Sequence, residues 1–200
     1  MQLTGVLSIG LLLSISFLDK EIKGIISNNL LVRKAKNFIF VWFLLTILFI
    51  LVQIAYLLEQ PLSASFDLTV IRSYMTQTSI GKSYLIQIIL LILILIIPIK
   101  KILTSYFLLL LSIIAIIAPV FQSHGSSSGH HALAIGALTV HVIAISFWVG
   151  GLFGLTQLDK TQKLIALPRF SAMALWSAIT VAVTGSATAW TRLDSITSWQ

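Results

Sequence analysis

The sequence predicts an all-α fold: a polytopic membrane bundle of about six transmembrane helices. Three observations carry that prediction. Of the 200 residues, 58% are hydrophobic and 10% charged, whereas a soluble globular domain carries roughly a quarter charged residues. The mean hydropathy is +1.02. The apolar residues run continuously over stretches near the ~20 residues that cross a hydrocarbon core of about 30 Å, without the alternation of transmembrane strands. An ordinary cytosolic domain and a disordered chain are both excluded. The chain has no cysteine, which removes disulfides, thiolate metal sites, thiol nucleophiles and cysteine-attached haem.

Six segments qualify or nearly so: Met1–Leu18, Phe38–Leu58, Ser83–Ile99, Ile102–Phe121, Ala132–Leu155 and Phe170–Trp190. The first is short, and no Lys or Arg precedes its apolar run, so a span fits better than a signal peptide. The third carries Gln87 near its start and Pro98 at its end.

Lys and Arg placement orients the spans. Lys20, Lys23, Arg33, Lys34 and Lys36 follow the first span, Lys100 and Lys101 the third, and Lys160, Lys163 and Arg169 the fifth. The opposite-side segments hold Arg72, Lys82 and Arg192. Ten of the 13 basic residues thus fall on alternate loops. Those loops are expected in the cytoplasm, with both ends of the chain, Gln60–Lys82 and Gln122–His131 outside. This rule accounts for the net charge of +7 and the pI of about 9.9, so no nucleic-acid partner is needed. Thr191–Gln200 carries no turn signal or polar tail, and the expectation is a piece of a longer protein: one membrane domain over 1–200.

Composition divides the chain. Residues 1–101 read as three lipid-facing helices, with the second and third rich in Leu, Ile and Phe. Residues 102–200 read as a tighter unit of helices four to six. At helical spacing the fifth shows Ala134, Ala137, His141, Ala144, Trp148 and Gly151 on one stripe, and the sixth shows Ser171, Ala174, Ala178, Ala182, Gly185 and Ala189. Small residues let membrane helices approach closely, and Gly150 and Gly154 add a small-xxx-small pair. These two helices are expected to pack on each other and on the fourth. The competing reading is that Ala and Gly are simply common in membrane helices.

All four histidines lie between residues 124 and 141. His124, His130 and His131 sit in the outer Gly/Ser segment Gln122–His131, which could fold onto one metal ion or be an inert solvated loop. His141 lies about ten residues into its span, hence about 15 Å below the outer boundary and near the midplane. Ionisable residues at such depth are functional-site candidates that face the bundle interior; the alternative is a structural interhelical hydrogen bond. The same depth reaches Ser112 on the fourth helix and Thr180 to Thr184 on the sixth, where Ser177, Thr180, Thr184 and Thr188 form a hydroxyl stripe. His141 is expected to face Ser112 or that stripe. His131 and His141 are about 15 Å apart along one helix, too far to share one ion while the helix is intact, so there are two stations or a lower site completed by another part of the protein. Met75 in the outer loop and Met173 near the inner end of the sixth span are possible thioether ligands or plain packing residues. Gly81-Lys82-Ser83 lacks the earlier glycine of a phosphate loop, since position 76 is Thr.

At Gln122–Arg192 the sequence resembles the copper resistance protein D family. The residues that carry the resemblance are His124-Gly-Ser, Gly129-His130-His131, Val140-His141-Val142, Phe147-Trp148-Val149-Gly150-Gly151-Leu152, Arg169-Phe170-Ser171 and Val183-Thr184-Gly185. The likeness extends more loosely over the whole chain, including Gln77 to Gly81. It is nearest to members in which a cytochrome-oxidase-assembly half follows. The resemblance implies copper as the ion handled, generally by uptake across the bacterial inner membrane. It also implies a metal role for His124, His131 and His141. His130 sits where relatives often carry another residue. A periplasmic copper-binding protein or the downstream assembly domain would be the protein partners.

Three functions follow as expectations. The first is a copper-translocating membrane protein, not an enzyme, since no nucleophile–base pair is present. The second is a haem-binding electron-transfer or assembly protein, which needs histidines on two facing helices, whereas only His141 is deep. The third is a membrane scaffold with incidental histidines.

Overall fold

A helix that is apolar on every side is stable in water-free packing only when other helices surround it or lipid does. Residues 2–18 meet the first condition over 5–16. In a computed structural model, which describes residues 2–18, 29–99, 102–120 and 131–197, they form the central helix α1 (Gln2–Leu18). Every side chain from Ser8 to Ser16 is buried, as is the backbone at Gly10 between them. This corrects the grouping of the first helix with lipid-facing ones.

Around α1 stand α2 (Asn29–Leu58), α5 (Ile102–Ile117), α6 (residues 131–156) and α7 (Lys160–Thr197), all in contact with it. A short 3-10 turn (Leu62–Phe66) and α3 (Leu68–Gln77) lead into α4 (Ser79–Ile96), which packs between α2 and α5. The described residues contain these seven helices and no strand.

Four of the helices are long and apolar enough to cross a membrane: Leu30–Leu58, Ser79–Ile96, Ile135–Thr156 and Lys160–Ala187. Gln2–Ser16 and Leu103–Ile117 are apolar but shorter. Several boundaries differ from those the apolar runs predict, because a helix continues past its greasy stretch. Arg33, Lys34 and Lys36 lie on the first turns of α2, not in a loop, and Lys163 and Arg169 lie on α7, which starts at a capping box. There Asp159 Oδ1 accepts from Gln162 N at 2.8 Å while Gln162 Oε1 accepts from Asp159 N at 3.2 Å, satisfying orphan amides reciprocally.

The segment 60–82 also contains more structure than a loop. Asp67 caps α3 by accepting from Thr69 N at 2.7 Å, and Thr78 caps α4 by accepting from Gly81 N at 2.9 Å. The tight α3–α4 turn requires glycine at 81, since a β-carbon there would overlap the carbonyl of Tyr74. One face of α3 supplies Val70, Ile71, Tyr74 and Met75 to a second apolar cluster with Ile50, Ile54 and Tyr84. Met75 is thus packed among hydrocarbon.

Two lysines bring three segments to one end of the bundle. Lys34 Nζ on α2 donates to Gln157 Oε1, between α6 and α7, at 3.0 Å. Lys36 Nζ donates to the carbonyls of Ile94, of Leu95 at 2.9 Å and of Ile97 at 2.7 Å. The last carbonyls of α4 have no intrahelical donors, and an ammonium with three protons satisfies them and complements the helix dipole. The start of α2, the end of α4 and the α6–α7 connection therefore lie together. At the same end Ser16 Oγ meets Ser105 Oγ at 3.3 Å and the Tyr106 hydroxyl donates to the Ser16 carbonyl at 3.2 Å, tying α1 to α5.

α1 and α6 cross in close backbone contact. A β-carbon on Gly10 would overlap the carbonyl of Gly150; one on Gly150 would overlap that of Val6; one on Gly154 would overlap the Gly10 carbonyl and Ser14 Oγ. The Gly150/Gly154 pair therefore serves α1, correcting the expectation that it joins α6 to its neighbours among the last three helices. Nearby, Phe38 of α2 meets Phe153 of α6 edge-on, with ring centroids 5.4 Å apart.

Gly150→Leu is expected to lower the thermal stability of the protein in detergent by about 1–3 kcal/mol or more through overpacking. Gly136→Ala, where a β-carbon meets nothing within 4 Å, is expected to leave it unchanged or raise it by ~0.5 kcal/mol. Lys36→Met removes the three carbonyl contacts and is expected to cost about 1.5–3 kcal/mol, the range for a hydrogen-bonded charge.

Candidate functional site

The site is built by α6 and α7, which pack along each other. α6 comprises an α-helical stretch (His131–Ile145), a π-helical turn (Ser146–Gly150) and a final α-helical stretch (Gly151–Thr156). Ser146 Oγ donates to the Val142 carbonyl at 2.7 Å where the turn begins. Such back-bonding perturbs the helical ladder, and a π-turn inserts one residue and rotates everything beyond it.

The rotation re-sorts the predicted stripe. Trp148, expected beside His141 on the inner face, is 39% exposed. Gly150 turns to α1, and Gly151 faces α7, where a β-carbon would come within 2.7 Å of Phe170 Cε2 and 3.1 Å of Met173 Cε. Met173 is partly buried against the core in the same place. On α7 the small-residue stripe is turned partly outward: Ser171, Ala182 and Ala189 are exposed. The α7 face nearest α6 instead carries Phe170, Ser177, Thr184 and Gly185.

His141 points onto that face. Its Nδ1 lies 3.0 Å from Thr184 Oγ1, and a β-carbon on Gly185 would stand 3.7 Å from its Cε1. Of the two neighbours expected for it, the hydroxyl stripe is the one it meets. Ser112 is fully buried on α5 and donates to its own Leu108 carbonyl at 2.8 Å. The stripe hydroxyls are back-bonded along α7: Thr180 Oγ1 to the Trp176 carbonyl at 2.8 Å and Thr184 Oγ1 to the Thr180 carbonyl at 2.6 Å. Below this level a groove of about 370 Å³ runs between the two helices, bounded by Ala144, Phe147, Met173, Trp176, Ser177 and Thr180 among others.

His124 and His130 lie outside the described residues, and of His131 only its place at the start of α6 is described. Among the described residues no three His, Cys, Asp or Glu side chains come together as a metal cluster. His141 is thus a single imidazole held by a hydroxyl. The facing helix offers Thr184 and Gly185 at its level and no second imidazole, so the paired axial ligands that a haem reading requires gain no support here. Sequence reasoning missed the π-turn and the role of Gly10. A glycine in the middle of an otherwise Leu/Ile-rich run was the available signal for the latter.

Residues 1–133 match the model of a family described as copper resistance protein D-like, N-terminal domain. The match covers 133 of 200 residues and takes in the segment with His124, His130 and His131, while His141 and the Trp148-Val149-Gly150-Gly151 motif lie beyond it. A search of curated proteins and a search of solved structures gave no match.

Proposed function

We propose a function on the premise that this match supplies: the chain belongs to the copper resistance protein D-like family. With four helices long and apolar enough to span a bilayer, it is a multi-pass, copper-related membrane protein.

In the proposed reading the chain conducts copper inward across the bacterial inner membrane. All six apolar helices cross, α1 being a short span enclosed by the others and α5 a short span with one exposed apolar face. The positive end formed by Lys34, Lys36 and the α6–α7 turn faces the cytoplasm. His124 and His131 capture the ion on the outer face, with His130 in a lesser role, and His141 receives it inside the bundle. A copper-binding protein outside, or an oxidase-assembly domain following residue 200, would be the partner. No bond of a substrate is made or broken, so the protein is not an enzyme in this scheme.

One observation carries the reading. An imidazole deep in an apolar helix pair is anchored by a threonine of the facing helix, in a chain of a copper-resistance family. Ionisable groups at such depth are costly and rare, and they mark ion pathways. Imidazole suits copper, and the glycine crossing gives α6 a rigid mount. Gly150 and Gly151 are therefore supporting residues, as are Thr180 and Thr184.

His141→Ala, expressed at the wild-type level, is expected to reduce copper accumulation by cells several-fold, measured by elemental analysis. Unchanged accumulation contradicts the proposal. The sequence has no cysteine, so single cysteines report sidedness cleanly. Leu62→Cys is expected to react with a membrane-impermeant maleimide in intact spheroplasts, and Asp159→Cys only after lysis. The reverse pattern would invert the scheme.

A further inference from the structure

We propose that Thr184 is a positioning residue: it holds His141 as the Nδ1–H tautomer, so that Nε2 is the nitrogen that takes a soft or borderline metal cation. The inference deepens the copper reading and rests on it for the identity of the cation.

The argument is a proton count. A carbonyl oxygen only accepts hydrogen bonds, and a hydroxyl has one proton to give. Thr184 Oγ1 lies 2.6 Å from the Thr180 carbonyl and 3.4 Å from that of Val181, so its proton points down its own helix. The contact of 3.0 Å with His141 Nδ1 must then be made by a proton on the ring. Nδ1–H donates and Thr184 Oγ1 accepts. In the neutral imidazole the other nitrogen carries the lone pair, and Nε2 has no hydrogen-bond partner among the described residues.

Thr180, one turn away, follows the same pattern. It gives its proton to the Trp176 carbonyl, so Thr180 and Thr184 keep lone pairs rather than protons for acceptance from a neighbour. At Gly185 an added β-carbon would make only ordinary contact with the Cε1 edge of the ring, at 3.7 Å, so the ring lies beside α7 without crowding it. A metal-ligating histidine typically donates its other ring N–H to an oxygen that fixes tautomer and orientation, and loss of that partner costs about 10–100-fold in metal affinity. Thr184 supplies such an oxygen before any ion arrives.

The test uses the full chain in detergent, labelled with ¹⁵N-histidine, with His141 assigned by its absence in His141→Ala. In the metal-free protein the expected spectrum has protonated Nδ1 and unprotonated Nε2. Cu(I), added under reducing conditions against a chelator, is expected to shift the Nε2 resonance. In Thr184→Val the two tautomers are expected to mix and Cu(I) affinity at His141 to fall by ~10-fold, while Thr184→Ser, which keeps the hydroxyl, restores both. Should the valine variant fail to fold, the wild-type spectrum and the serine variant still decide. An unprotonated Nδ1 in the wild type, or a valine variant with unchanged tautomer and affinity, overturns the proposal. A correct tautomer whose nitrogens do not respond to Cu(I) overturns the ligand role and locates the failure in the copper reading, leaving Thr184 as the anchor of the ring.

Discussion

The arrangement depends on two backbones touching. Gly10 of α1 and Gly150 and Gly154 of α6 have no side chains between them, and any β-carbon at these positions would overlap the opposite helix. In lipid the hydrophobic effect does not drive helices together, so close van der Waals packing has to. This crossing draws α1 into the centre of the bundle and holds the lower half of α6. The π-turn over Ser146–Gly150 is the local adjustment that lets one helix present glycine to α1 and, one residue later, to Phe170 of α7. His141 lies just over one turn above that turn, so the crossing fixes where its imidazole meets Thr184.

A second constraint operates at the basic end. The carbonyls at the end of α4 lack intrahelical donors, and Lys36 reaches across from α2 to those of Ile94, Leu95 and the capping Ile97. Lys34 does the same for the α6–α7 connection through Gln157. The lysines counted as topology signals are thus also structural clasps. Their long stems cross apolar surface while the ammonium finds oxygen. One feature of the sequence therefore underlies both the expected orientation and the observed packing.

Much of this was legible in the residues. Continuous apolar runs identify helices whatever surrounds them, and depth counted at 1.5 Å per residue placed His141 opposite the Thr180–Thr184 stripe that holds it. Other features were hidden for physical reasons. A Leu/Ile run looks the same whether lipid or protein covers it, so the central place of α1 could not be read. A π-turn changes the helical phase without changing composition, which is why Trp148 left the stripe of His141. α3 is too polar to register as an apolar run, and its apolar face shows only at a 3.6-residue period. Helix ends carrying Arg33, Lys34 and Lys163 read as loops because charge was taken to mean water.

In the proposed reading, copper as cargo joins these constraints to a function. A membrane site that must release its ion is served by few, neutral ligands on a rigid mount, and under that proposal one oriented imidazole between packed helices meets the requirement. The most direct measurement is copper X-ray absorption on the full chain in which His124, His130 and His131 are all changed to Ala. The account predicts that Cu(I) is retained with a nitrogen neighbour at about 2 Å, the usual metal–imidazole distance, and that this signal vanishes when His141→Ala is added. Retention of the same nitrogen shell without His141, or no bound copper with His141 present, would contradict it.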